Sequence, residues 1–168
     1  MRANTLTVIA VLLLGGGVAV AREKPAADKG GAAMSSRAKG AFDVKISPLQ
    51  LGEVAQHETL GRMAIDKQYH GDLTGTGKGE MLTAGSAASG SGAYVAVERV
   101  SGTLGGRQGS FLMAHRATMT RGTPDLSIVV VPDSGTEQLA GIAGHMDIKI
   151  EAGGKHFYEL EYTLPEPH

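Results

Sequence analysis

A chain of 168 residues with 42% hydrophobic and 20% charged residues has the means to bury one real core and is not a disordered polymer. Its 16 Lys and Arg against 17 Asp and Glu, a formal net charge of −1 and only 4% aromatics leave neither a basic surface nor stacking platforms for nucleic acid. The absence of Cys excludes disulfides, thiolate nucleophiles, cysteine zinc sites and a cysteine-linked lipid anchor.

The N-terminus has the layout of a secretory signal peptide. Arg2 precedes an uncharged apolar run over residues 6–20, and Ala19-Val20-Ala21 forms a small-x-small cleavage site before Arg22-Glu23-Lys24. The run is shorter than the roughly 20 residues a membrane span needs, and its three consecutive glycines weaken it as a helix. Residues 1–21 are therefore expected to be removed, with no membrane association afterwards. The exported chain, in the bacterial periplasm or secreted, begins near Arg22; losing Arg2 takes the 16 basic residues to 15. Residues 22–37 mix Pro, Ala, Gly and charge without periodicity and read as a flexible leader to a domain over residues 38–164.

That domain reads as β throughout. A first strand over residues 38–47 sets Ala41, Asp43 and Lys45 against Phe42, Val44 and Ile46, with Pro48 ending it. Residues 49–59 are the one stretch where a short helical turn fits. Seven more β-rich runs follow at roughly ten-residue spacing, over residues 61–73, 77–86, 92–104, 106–119, 125–135, 144–154 and 155–164, each broken by glycine. About eight strands so spaced predict an antiparallel barrel or sandwich.

Two turns assign side chains to faces. Gly105-Gly106 suits a two-residue hairpin, so Leu104 faces Arg107, Glu98 faces Met113, Ala96 faces His115 and Tyr94 faces Ala117. Alternation then groups Tyr94, Ala96, Glu98 and Val100 with Phe111, Met113, His115, Ala117 and Met119. This face is apolar except for one carboxylate, one imidazole and one phenol, and Glu98 and His115 are diagonal neighbours within side-chain reach. A slip of one residue separates them onto opposite faces. In the last hairpin a three-residue loop, Ala152-Gly153-Gly154, gathers Met146, Ile148 and Ile150 with His156, Tyr158, Leu160, Tyr162 and Leu164. The two-residue alternative mixes Ile148 with Glu159 and loses burial.

Several motifs fail on inspection. Gly75-Thr76-Gly77-Lys78-Gly79-Glu80 lacks the Ser or Thr after its lysine and runs into a strand, so it is a turn-and-strand segment and not a phosphate loop. His57-Glu58 is followed by Gly61 where a zincin needs histidine, and no Gly-x-Ser-x-Gly elbow exists. His57, His70, His145 and His168 read as solvated. His115 and His156 lie on apolar faces, where a hydrogen-bonded core histidine competes with a functional one. No two histidines show metal-ligand spacing, so neither a metal nor a cofactor is expected. Glu98 is the sharpest candidate, because a carboxylate on an apolar face is costly unless it is paired or functional.

The blocks DKQYHGDLTGTGKGEML, YVAVERVSGTLGGRQGSFLMAH, LSIVVVPDSGTEQLAGIAGHMDI and HFYELEYTL, in order, resemble the bacterial domain-of-unknown-function family 3224 over nearly all of residues 38–164. The resemblance implies an eight-stranded antiparallel barrel like that of allene oxide cyclase, a fold also seen in dirigent proteins. In SGTEQLAGIAGHM, Gly135, Leu139, Gly141 and Gly144 look like the corresponding plant stretch. The family carries no established activity, and its members often look cytosolic, unlike a chain with an export signal.

Three functions follow from such a barrel. The leading expectation is binding of a small apolar molecule inside it, with Tyr94, Met113, His156, Tyr158 and Tyr162 as ligand contacts. The second is a cyclase- or isomerase-type enzyme in the same cavity, with Glu98 as base or charge stabiliser and His115 as its partner. The third is a structural role as a homo-oligomer through apolar outer faces.

Overall fold

The computed structural model describes residues 35–53, 59–86 and 89–165. The expected signal peptide, all but the end of the leader, His57 and His168 lie outside these residues. Eight strands follow in order: β1 (Ser36–Leu49), β2 (Leu60–Gly71), β3 (Leu73–Ser86), β4 (Ser91–Leu104), β5 (Arg107–Thr120), β6 (Thr123–Val130), β7 (Ala143–Ile150) and β8 (His156–Thr163). Each pairs antiparallel with the next, and β1 pairs with β8 to close a barrel. Closure leaves no free sheet edge and gives every strand an inner and an outer face. In β2 the inner set is Gly61, Met63, Ile65, Lys67 and Tyr69, each buried, while the residues between them are half-buried or exposed.

The observed β4–β5 register is Leu104 with Arg107, Glu98 with Met113, Ala96 with His115 and Tyr94 with Ala117, as the glycine turn requires. Gly105 and Gly106 take φ of 55° and 81°, the left-handed region such a turn demands. In the last hairpin Ile150 pairs with His156 and Ile148 with Tyr158, and Glu151 N–H donates to the Lys155 carbonyl across the three-residue loop. The first strand departs from expectation at both ends. It begins at Ser36, inside the segment read as leader, and runs through Pro48 to Leu49. Proline survives there because β8 pairs only with residues 36–42 of β1, so the ladder loses no N–H on that side.

The two ends of the barrel differ. At one end lie the β2–β3 and β4–β5 turns and the connection over residues 131–142. That connection holds a single 3₁₀ turn at Glu137–Leu139, a helical element outside the stretch where the sequence suggested one. It runs beside the start of β5, which has no β6 partner there. Thr136 Oγ1 and Ser134 Oγ accept from the backbone N–H groups of Ser110 and Leu112, each at 3.0 Å, and replace the missing ladder bonds. Leu139 and Ile142 hang from this connection into the barrel and pack with Leu73, Leu104, Phe111 and Leu160. Full burial of such side chains stabilises by about 1.5–3 kcal/mol each, so this end is solid. The other end carries the loops between β1 and β2, β3 and β4, β5 and β6, and β7 and β8. Among the described residues, β6 and β7 share a single register pair, Val129 with His145, and this is the thinnest seam in the wall.

Candidate functional site

The inner face of the barrel is apolar except near its middle, where three strands place an ionic cluster. Glu98 on β4 is fully buried, and Lys67 on β2 is 6% exposed. Lys67 Nζ donates to Glu98 Oε2 at 2.7 Å, while the Tyr69 hydroxyl donates to Oε1 at 2.8 Å. The two charges belong to strands that are not adjacent; β3 lies between them. They meet because β3 has Gly77 opposite Lys67 and Gly79 opposite Glu98. A Cβ on Gly77 would collide with the Glu98 carboxylate and come within 2.9 Å of the Tyr69 ring. The glycine-rich run that imitates a phosphate loop is therefore the gap through which the ion pair forms.

His115 on β5 approaches the same carboxylate from the other side. Its Nε2 lies 3.2 Å from Glu98 Oε2, close but without a well-aligned hydrogen bond. Burial works against charge on Glu98, yet His115 and Lys67 outweigh it and bring its pKa down to about 2. An ionised carboxylate only accepts, so the ring nitrogen facing it is the one that carries hydrogen. Lys67 Nζ also sits 4.9 Å from the centroid of the Phe42 ring, a cation–π contact.

Beyond the cluster, toward the loop end, is a cavity of about 60 Å³. Its walls are mainly Phe42, Val44, Ile46, Ile65, Met81 and Ile148, and its polar groups are Lys67, Thr83, Tyr94, His115 and His156. Glu98 is not among the lining residues: Lys67 and His115 stand between it and the space. Burial, then the negative Glu98, raise the Tyr94 pKa to about 12, so its hydroxyl stays protonated. Burial, then the Lys67 charge, lower the pKa of His156, whose ring stacks at a tilt 5.0 Å from Phe42. His115 turns its Nε2 to Glu98, whereas the Nε2 of His156 is buried with no hydrogen-bond partner among the described residues. Buried polar atoms are nearly always satisfied, so such atoms beside a cavity mark where a guest group would bind.

The structure thus brings together four of the residues singled out from sequence: Glu98, His115, Tyr94 and His156. The other three lie elsewhere. Met113 is fully buried in the packed core. Tyr158 spends its hydroxyl on the β2–β3 turn, accepting from Leu73 N–H at 2.9 Å and donating to the His70 carbonyl at 3.2 Å. Tyr162 is at the solid end, its hydroxyl near Gly105. Sequence reasoning missed Lys67 and Tyr69. The signal was present, since Met63, Ile65, Lys67 and Tyr69 alternate along one strand and put a cation on an apolar face. Among the described residues, no group of three or more His, Asp and Glu is placed to hold a metal ion.

No curated protein matches this chain. A solved structure that it resembles is a protein of unknown function from the DUF3224 family of Shewanella oneidensis MR-1. The two are 44% identical, with a TM-score of 0.72 over 80% of this chain and 100% of the other. The family model for proteins of unknown function named DUF3224 matches residues 38–162, nearly the whole barrel, and the chain belongs to that family.

Proposed function

We propose that this is an exported binding protein that takes a small, mainly apolar molecule into the loop end of its barrel. The observation that carries the reading is the lined cavity itself: apolar walls, with the buried, unpartnered Nε2 of His156 beside a buried ion pair. An eight-stranded barrel either fills with side chains or holds one small ligand, and here one end is packed while the other keeps a space. The layout of residues 1–21 supports export to the periplasm or medium. Native mass spectrometry of protein purified from its own host tests both parts. The expected result is a chain beginning near Arg22 with an added small-molecule mass that disappears in the cavity-filling variant Ile148→Trp. A bare polypeptide mass in both proteins would overturn the binding reading, and an intact Met1 would overturn export.

One observation favours a second reading, an isomerase-type enzyme. His115 lines the cavity with Glu98 3.2 Å behind its Nε2, the arrangement in which a carboxylate orients an imidazole base. In that case His115 meets substrate and Glu98 positions it, so Glu98→Gln lowers turnover without altering ligand affinity.

A further inference from the structure

Accepting the cavity as a binding site, we infer that its ligand is an uncharged molecule bearing a hydroxyl on a short aliphatic body. The charge argument comes first. Lys67 and Glu98 neutralise each other at 2.7 Å, and the remaining polar lining is Thr83, Tyr94 and the two histidines. A carboxylate guest would find no uncancelled cation among the described lining residues, and an ammonium guest would meet Lys67 with the Glu98 carboxylate already engaged. Burying an unpaired charge is far more costly than burying a hydroxyl, so the space selects against both.

The hydrogen-bonding groups then specify the head. An ammonium has three donors, and Lys67 uses one on Glu98 and one on the Tyr69 hydroxyl at 3.3 Å. The third has no partner among the described residues. His156 supplies the opposite need. In a neutral imidazole one ring nitrogen carries the hydrogen and the other accepts. With that hydrogen on Nδ1, the buried and unpartnered Nε2 is the acceptor. Lys67 Nζ and the His156 ring flank the same Phe42 ring, at 4.9 and 5.0 Å from its centroid. Both residues also line the cavity, and a hydroxyl held there can accept from Lys67 and donate to His156. An ether or ketone satisfies only the first.

Size sets the body. A cavity of about 150 Å³ holds a benzene, so the present 60 Å³ encloses the hydroxyl and its first few carbons. The rest of an alkyl chain lies along Ile46, Ile65, Met81 and Ile148 toward the loop end. Methionine at this position yields readily to a longer guest.

The test compares four probes of similar length on the full-length protein by calorimetry and by NMR of the Ile and Met methyl groups: 1-hexanol, methyl pentyl ether, hexanoate and hexylammonium. The expected outcome is saturable binding of 1-hexanol about tenfold tighter than any other probe, the value of one well-made hydrogen bond in a dry site. His156→Phe is expected to erase the preference over the ether. Ether binding as tight as hexanol, or tighter binding of either ion, overturns the hydroxyl assignment but leaves a binding cavity. If no probe saturates or moves the Ile46, Met81 and Ile148 methyls, the cavity reading itself falls. The wild-type comparison decides the matter even where the His156 variant does not fold.

Discussion

Replacing Lys67 by Met keeps the aliphatic stem and removes the charge, which strands Glu98 in the barrel. Two figures frame the size of the effect. Removing one partner of a buried ion pair typically destabilises by about 3–5 kcal/mol. Glu98 is held at about 2 against an ordinary 4.5, and at about 1.4 kcal/mol per pH unit that difference is worth roughly 3 kcal/mol. It is the net of burial, His115 and Lys67 together, so it sets the scale of the cluster and not of Lys67 alone. Because the folded value is the lower one, this stability is present above pH 4.5 and drains away as pH falls from 4.5 to about 2. Lys67→Met should therefore be about 3–5 kcal/mol less stable than wild type near neutrality. Its deficit should narrow on acidification, because a protonated Glu98 no longer needs the ammonium. Urea unfolding followed by far-ultraviolet circular dichroism at several pH values reads both features. A deficit below about 1 kcal/mol at neutrality, or one that does not change with pH, refutes the argument that this pair is tightly coupled in a dry site.

Gly77→Ala puts a methyl group against the Glu98 carboxylate and the Tyr69 ring, so a loss of about 1–3 kcal/mol is expected in urea unfolding. The control Gly52→Ala meets nothing within 4 Å and should leave stability unchanged; equal effects would show that the ion pair does not need the glycine gap. Tyr94 should ionise near pH 12, so the ultraviolet tyrosinate titration of Tyr94→Phe should lose amplitude only at the most alkaline end. Loss of amplitude near pH 10 would place that hydroxyl in water. Burial and Lys67 keep folded His156 from taking a proton as readily as the unfolded chain does. Stability should therefore fall as pH drops through 6.5, and His156→Phe should flatten that slope; an unchanged slope assigns the titration to another group.

Period-two alternation and glycine turns were enough to read an antiparallel barrel or sandwich and the β4–β5 register, because both rest on local properties of the chain, while the choice of a barrel came from the family resemblance. They located Glu98 by the same logic: the turn at Gly105-Gly106 counts back to a carboxylate on an apolar face. Alternation tells which face a residue occupies but not its height along the barrel axis, which depends on the stagger of all eight strands. That is why Tyr158 and Tyr162, correctly placed on an inner face, turned out to serve the closed end and not the cavity. The partnership of Lys67 with Glu98 was beyond this reasoning for a related cause. It crosses an intervening strand, and it exists only because Gly77 and Gly79 fall opposite the two charges.

The position of the ion pair poses a choice between two physical roles. It sits where the packed half of the barrel meets the cavity, so it either staples β2 to β4 or serves as the floor of a binding site. Buried pairs are often matched or surpassed in stability by apolar residues of similar volume, so stability alone is a weak reason to keep one. The double variant Lys67→Met/Glu98→Leu separates the roles. It should recover most of the stability that Lys67→Met loses, because no buried charge remains unpaired. If the pair is a floor, the recovered protein also binds both 1-hexanol and the ether less tightly, since the Lys67 donor that both probes use is gone. A double variant that folds well and binds both probes as tightly as wild type would make the pair a staple and return the cavity chemistry to the histidines alone.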